Sequence, residues 1–129
     1  MQFKKSLKKY WPAIVWSALI FLLLAIPGSD LPQESSFLDI PHSDKWVHGG
    51  IFALFVILWC RAVRIWNPTR KLFRAFLLIA LAGIVFGYAM ELVQKYFIPN
   101  RDYDLMDVVA DAAGCLIGLI ISLVVFRKK

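Results

Sequence analysis

The stretch LFRAFLLIALAGIVFGYAMELVQKYFI, residues 72–98, contains no charged residue between Arg74 and Glu91. A helix of about 20 apolar residues crosses a hydrocarbon core about 30 Å thick, so this stretch is long and apolar enough to span a membrane. Glu91 lies near its end, at a depth where an ionised carboxylate is costly unless it is paired or hydrated. The stretch therefore predicts a membrane helix that carries a polar site near one end.

The rest of the chain has the composition of the same kind of protein. Of its 129 residues 60% are hydrophobic, and its mean hydropathy of +0.65 is above that of soluble domains. Four spans are predicted, over residues 11–26, 46–61, 72–98 and 105–126, and the first two are short for a full crossing unless their flanks extend them. We expect an all-α integral membrane fold, a four-helix bundle that forms one domain over residues 1–129.

The first span resembles a signal peptide, because lysines precede its apolar centre. No clear A-x-A cleavage pattern follows it, so we expect a retained transmembrane helix.

Basic residues alternate along the chain with the predicted spans. They precede the first span, lie between the second and third, and follow the fourth: Lys4, Lys5, Lys8 and Lys9; Arg61, Arg64, Arg70, Lys71 and Arg74; Arg127, Lys128 and Lys129. By the positive-inside rule these segments are cytoplasmic, and so are both termini. The two remaining loops hold most of the acids and are expected outside: Asp30, Glu34, Asp39, Asp44, Asp102 and Asp104. The first of these loops is a lid, a re-entrant segment or a linker.

Polar and small residues share one face on each of the last two helices. At 100° per residue, the third helix places Gly83, Gly87, Glu91 and Gln94 in one arc, and the fourth does the same with Asp104, Asp107, Asp111, Gly114 and Gly118. Glycines four residues apart let helix backbones approach closely in lipid. We therefore expect the third and fourth helices to pair through their glycines, with the acids at the outer end of the seam.

The second helix adds Asp44 and His48, which lie four residues apart where it enters the membrane from the same side. These observations predict one outward-facing pocket within the bundle. Its expected residues are Asp44, Lys45, His48, Glu91, Gln94, Arg101, Asp104, Asp107 and Asp111.

The order of these motifs resembles the VanZ-like family of bacterial membrane proteins. The matching pieces are DKWVH at 44–48, ELVQ at 91–94 and PNRDYDLMD at 99–107, followed by VVADAAGCLIG. Where the family usually has asparagine on the last helix this chain has Asp111, which adds charge to the pocket or holds a proton. The resemblance implies a bacterial cytoplasmic membrane protein that acts at the cell envelope, with low-level resistance to the glycopeptide teicoplanin as the role that named the family.

Several functions fit such a pocket. In a catalytic interpretation His48, Glu91 and Asp107 carry acid–base chemistry on a lipid-linked substrate, and Arg101 binds its phosphate or carboxylate. The other pocket residues, Asp44, Lys45, Gln94, Asp104 and Asp111, would then bind the substrate. The alternatives are a salt-bridge network that only joins the helices, a proton or cation relay, and a divalent metal site drawn from His48, Glu91, Asp104 and Asp107.

The position of the basic residues indicates which class of partner to expect. The formal charge of +6 lies in short segments between apolar runs, which favours anionic lipid headgroups over nucleic acid. Expected partners are membrane lipids and a lipid-linked cell-wall precursor or a lipoglycopeptide. The sequence identifies no cofactor beyond the possible divalent metal and leaves the oligomeric state open.

The orientation leads to the first prediction. A reporter enzyme that is active only outside the cytoplasm, fused after Lys129, should give no signal, whereas one that is active only in the cytoplasm should give a strong signal. Fusions after Asn100 serve as the opposite control. A strong extracytoplasmic signal at Lys129 would overturn the topology.

Overall fold

The computed structural model describes residues 2–27, 43–68 and 71–126. In this part of the chain it contains four helices, α1 (Gln2–Leu24), α2 (Ser43–Trp66), α3 (Phe73–Phe97) and α4 (Leu105–Val125), and no strand. Each is long and apolar enough to cross a membrane. The predicted all-α fold with four helices of spanning length is confirmed for this part of the chain. The first predicted outer loop, with Asp30, Glu34 and Asp39, lies outside the described residues, as do Arg70 and the tail 127–129.

The first two helices are longer than the predicted spans. α2 begins at Ser43 and has 24 residues, about 36 Å at 1.5 Å per residue, and α1 has 23. Polar and basic flanking residues continue both helices, as expected for spans that are short for a full crossing on their own. α1 also runs through Pro12, which membrane helices tolerate better than soluble ones do.

Successive helices are antiparallel, and side-chain hydrogen bonds fix them to one another. The Trp16 indole on α1 donates to the carbonyl of Ile51 on α2 at 2.9 Å, and the Trp59 indole donates back to the Ser17 hydroxyl at 3.1 Å. A further hydrogen bond joins α3 to α1, which are not successive: the Gln94 amide on α3 donates to the carbonyl of Leu24 at the end of α1, at 2.9 Å. The last bond satisfies a carbonyl that the end of α1 would otherwise leave without a partner.

The core lies around α2. Phe52, Val56 and Cys60 are fully buried there, and the ring of Phe52 packs against Phe86 of α3 with centroids 5.8 Å apart. The outward faces of the helices are apolar and exposed, for example Leu78, Val85, Ile120 and Val124. An exposed apolar surface of this extent is typical of a helix bundle whose solvent is lipid.

The glycines of α4 do not have the predicted partner. A Cβ at Gly114 would overlap the carbonyl oxygen of Gly49, and one at Gly118 would lie 2.6 Å from the carbonyl oxygen of Ala53, so both glycines pack on α2. The glycines of α3 do face α4, where a Cβ at Gly87 would lie 2.7 Å from Asp111 Oδ2. α4 therefore packs its glycine face against α2, which is its principal packing partner, and a neighbouring face against α3.

Gly114→Ala should destabilise the bundle by about 1–3 kcal/mol, since the new methyl group forces the backbones of α2 and α4 apart. Gly50→Ala is the matched control: a Cβ there meets nothing within 4 Å, and alanine favours the helix by about 0.5–1 kcal/mol. Thermal unfolding in detergent, followed by tryptophan fluorescence, measures both. Equal melting temperatures for the two variants would contradict the close approach.

Candidate functional site

Polar side chains converge at the end of the bundle where α2 and α4 begin and α3 ends. The segment between α3 and α4 turns at Asn100, which has a φ of 57°, and α4 then starts behind Asp104. The Asp104 carboxylate caps α4 by accepting from the backbone N–H of Met106 at 2.8 Å. An acidic N-cap satisfies a free N–H of the first turn and suits the positive end of the helix dipole. The cap thus fixes the register of the acids that follow on α4.

Lys45 is the centre of this polar end. Its ammonium group on α2 contacts three carboxylates: Asp44 of the same helix at 2.9 Å, Asp107 of α4 at 2.5 Å, and Asp104. Its side chain is 20% exposed, so these ion pairs are only partly screened by solvent. One cation therefore joins the start of α2 to the start of α4.

Asp104 lies just before the span formed by α4, and the contact with Lys45 lowers the pKa of its carboxyl group. The hydrogen bond from Lys45 holds the pKa of the Asp104 carboxyl below its ordinary value, and the N–H of Met106 acts in the same direction. A depressed pKa means that this pairing stabilises the fold at neutral pH. That contribution is lost as the pH falls through the lowered pKa.

His48 lies one turn deeper on α2 and is buried between two acids of α4. Its Nδ1 is 2.9 Å from Asp111 Oδ1, and its Nε2 is 3.7 Å from Asp107 Oδ2. A neutral imidazole donates from one nitrogen only, whereas a protonated ring donates from both. The arrangement can therefore hold a proton on His48 between Asp107 and Asp111.

Glu91 completes the buried part of the cluster from α3. It is 1% exposed, and its Oε2 accepts a hydrogen bond from the backbone N–H of Asp104 at 3.2 Å. One ligand atom each from Glu91, His48 and Asp111 lie within 4.8 Å of one another. Three helices thus contribute to one buried cluster of two carboxylates and an imidazole.

Seven of the nine predicted pocket residues come together, and two do not. The seven are Asp44, Lys45, His48, Glu91, Asp104, Asp107 and Asp111. Gln94 is buried but bonds to the end of α1, so it joins helices instead of lining the cluster. Arg101 has no hydrogen bond or ion pair with any residue in the described ranges, whereas the basic side chain that contacts the aspartates of the cluster is Lys45.

An excess of acid remains after the ion pairs are counted. Five carboxylates lie in the cluster, and within the described ranges only Lys45 and His48, which is a cation when protonated, pair with them. The second group of potential metal ligands, Asp44, Asp104 and Asp107, already surrounds the ammonium of Lys45. No lysine or arginine in the described part of the chain pairs with the deeper group of His48, Glu91 and Asp111.

An apolar groove beside the cluster was not predicted from the sequence. It lies between α2 and α4, has a volume of about 590 Å³, and shares Lys45 with the polar cluster. Its other lining residues are small or apolar: Trp46, Gly49, Gly50, Ala53, Met106, Ala110, Ala113, Gly114 and Ile117. The alternation of glycine and alanine on both helices is the signal that could have indicated it, since small side chains leave space between neighbouring backbones.

Comparison with known proteins finds a relative whose function is not described. The chain is 29% identical over 111 residues to an uncharacterized protein of Schizosaccharomyces pombe, and the match covers 85% of this chain and 64% of the yeast protein. The chain thus spans just under two thirds of the length of that relative. No family model matches the sequence. No solved structure matches the chain.

Lys45→Met should lower the free energy of unfolding by about 1–3 kcal/mol, because it leaves three aspartates without their shared cation. The matched control is Lys95→Met: the Lys95 ammonium lies over the rings of Tyr96 and Tyr103 at the same end of the bundle, and its loss should cost less than about 1 kcal/mol. Thermal unfolding of both variants measures the difference.

Combining Lys45→Met with Asp107→Asn should recover part of the loss, since the double variant removes one of the uncompensated charges. If Lys45→Met were as stable as Lys95→Met, and Asp107→Asn had the same effect in both backgrounds, the central role of Lys45 would be excluded.

Proposed function

We propose that this multi-pass membrane protein binds a lipid-linked molecule of the cell envelope, with the headgroup at the polar cluster and the hydrocarbon chain in the groove between α2 and α4. The observation that carries the proposal is that Lys45 belongs to both. Its ammonium group contacts Asp104 and Asp107, and it also lines one end of the apolar groove. A ligand that is polar at one end and apolar along its length fits this combination.

The groove opens to the lipid side of the bundle. Trp46 at its edge is 75% exposed, and no atom lies within 4 Å of a Cβ built on Gly50. A chain already in the bilayer gains little hydrophobic free energy on entering such a groove, because lipid is as apolar as the groove lining. Selectivity therefore has to come from the headgroup, which is where the charged residues lie.

The cluster supplies groups for acid–base chemistry on that headgroup. His48 is positioned by Asp111 through Nδ1 and faces Asp107 through Nε2, and Glu91 is buried beside them. An imidazole held in position by a carboxylate is the commonest general acid or base in enzymes. We assign proton transfer to His48, with Asp107 and Glu91 as its partners, and headgroup binding to Lys45, whose ammonium group would exchange one of its aspartate partners for the anionic headgroup.

We place the protein in a bacterial cytoplasmic membrane with its polar end outside. The basic residues of the segments at the opposite end of the bundle support this orientation. The resemblance to the VanZ-like family supports a role at the envelope. Lowered susceptibility to teicoplanin would follow if the protein altered or shielded a lipid-linked cell-wall precursor.

A salt-bridge network that only joins the helices is the second candidate. The observation that favours it is the pairing of Lys45 with aspartates of another helix. The two candidates differ at the groove, which a purely structural network does not use.

Gly50→Leu tests the proposal, because its side chain would fill the groove without touching the packed faces of α2. The matched control is Ala89→Leu, an exposed position on α3 away from the groove. Binding of undecaprenyl phosphate to the detergent-purified protein is measured by native mass spectrometry. Gly50→Leu should weaken binding by at least about tenfold, or 1.4 kcal/mol, and Ala89→Leu should leave it unchanged.

The same spectra distinguish the candidates. Failure of the folded wild-type protein to bind undecaprenyl phosphate, or equal binding by both leucine variants, would reject the proposed lipid site. Either result would favour the structural network.

A further inference from the structure

The deepest part of the polar cluster contains a buried carboxylate oxygen without a partner. Asp111 is 1% exposed, and its Oδ1 bonds to His48 Nδ1, but no donor in the described ranges reaches its Oδ2. An unpaired carboxylate oxygen away from water costs free energy that a protein normally avoids. The atom lies against Gly87 of α3, one turn from Glu91, so it faces the side of the cluster where Glu91 lies.

We propose that His48, Glu91 and Asp111 bind one divalent metal ion between α2, α3 and α4. Each residue offers one ligand atom, and the three atoms lie within 4.8 Å of one another. Two ligands on the same ion, each about 2.1 Å from it, lie roughly 3 to 3.4 Å apart for angles between octahedral and tetrahedral. His48 Nδ1 and Asp111 Oδ1 are 2.9 Å apart, close to that range, so small shifts of the side chains bring the imidazole and the Asp111 carboxylate, through either of its oxygens, onto one ion.

The charges around this position favour a cation. Glu91 and Asp111 face it, and Asp107 approaches His48 from α4. The one lysine of the cluster is already shared by Asp44, Asp104 and Asp107. A proton on His48 neutralises one of the two deep carboxylates, whereas a divalent ion that displaces this proton neutralises both.

The ligand set indicates which ions fit. One imidazole and two carboxylates suit Zn²⁺ or Mn²⁺ better than Mg²⁺ or Ca²⁺, which prefer oxygen ligands alone. Three protein ligands also leave coordination positions open for water or an oxygen of a bound headgroup. The sequence predicted metal ligands among His48, Glu91, Asp104 and Asp107. In the proposed site the second carboxylate ligand is Asp111. The metal site does not depend on the proposed lipid site, since the three ligands belong to the protein. With the ion bound, His48 and Glu91 act as its ligands in place of the proton-transfer role proposed above.

Metal binding is tested with the full chain, purified in detergent without a histidine tag and treated with chelator. His42→Gln is introduced as the background, so that His48 is the one histidine left of the two in the chain. Titration with MnCl₂ or ZnCl₂ should give one bound ion per chain and raise the melting temperature. Pulsed electron paramagnetic resonance of the Mn²⁺ sample should show coupling to an imidazole nitrogen.

Three variants and a control locate the ion. His48→Gln, Glu91→Gln and Asp111→Asn should each weaken binding at least tenfold and abolish the thermal shift. Asp102→Asn, an exposed acid outside the cluster, should bind like the background protein. A folded background protein that binds no ion stoichiometrically, or Mn²⁺ bound without nitrogen coupling, would overturn the proposal even if every variant failed to fold. Metal binding without binding of undecaprenyl phosphate would uphold this site and reject the proposed lipid function.

Discussion

Buried negative charge is the constraint on which the polar end of this protein depends. Carboxylates at membrane depth are stable only when a cation, a proton or a hydrogen-bond donor neutralises them. Lys45 on α2 neutralises the aspartates at the start of α4, Asp104 and Asp107. The ion pairs therefore hold the site together and at the same time set the relative position of the two helices.

Close packing of α2 and α4 makes these contacts possible. Gly114 brings the backbone of α4 against that of Gly49, immediately after His48 in the chain. At this distance the His48 ring reaches Asp111, which precedes Gly114 by three residues on α4. The same small residues leave the groove open toward lipid, so the polar cluster and the groove are consequences of one helix–helix contact.

Much of this arrangement follows from the sequence. Hydropathy gives the four helices, and the 100° periodicity places Glu91 and Asp111 on inward faces because a charged residue is too costly on a lipid-facing one. Periodicity assigns a face to a residue but does not say which helix that face meets. For this reason Gly114 and Gly118 were assigned to α3, although they pack on α2. Gln94 and Arg101 show a related limit, since a shared face or end does not determine the hydrogen-bond partner of a long side chain.

The central claim is that the Lys45 ammonium lies among aspartate carboxylates in the bilayer. Solid-state nuclear magnetic resonance measures this directly, through the dipolar coupling between ¹⁵N-labelled lysine and ¹³C-labelled aspartate carboxyls in lipid vesicles. The Lys45 signal, identified by its loss in Lys45→Met, should show carboxyl carbons within about 4 Å, and Asp107→Asn should weaken that coupling. A Lys45 signal without coupling to any aspartate would contradict the account.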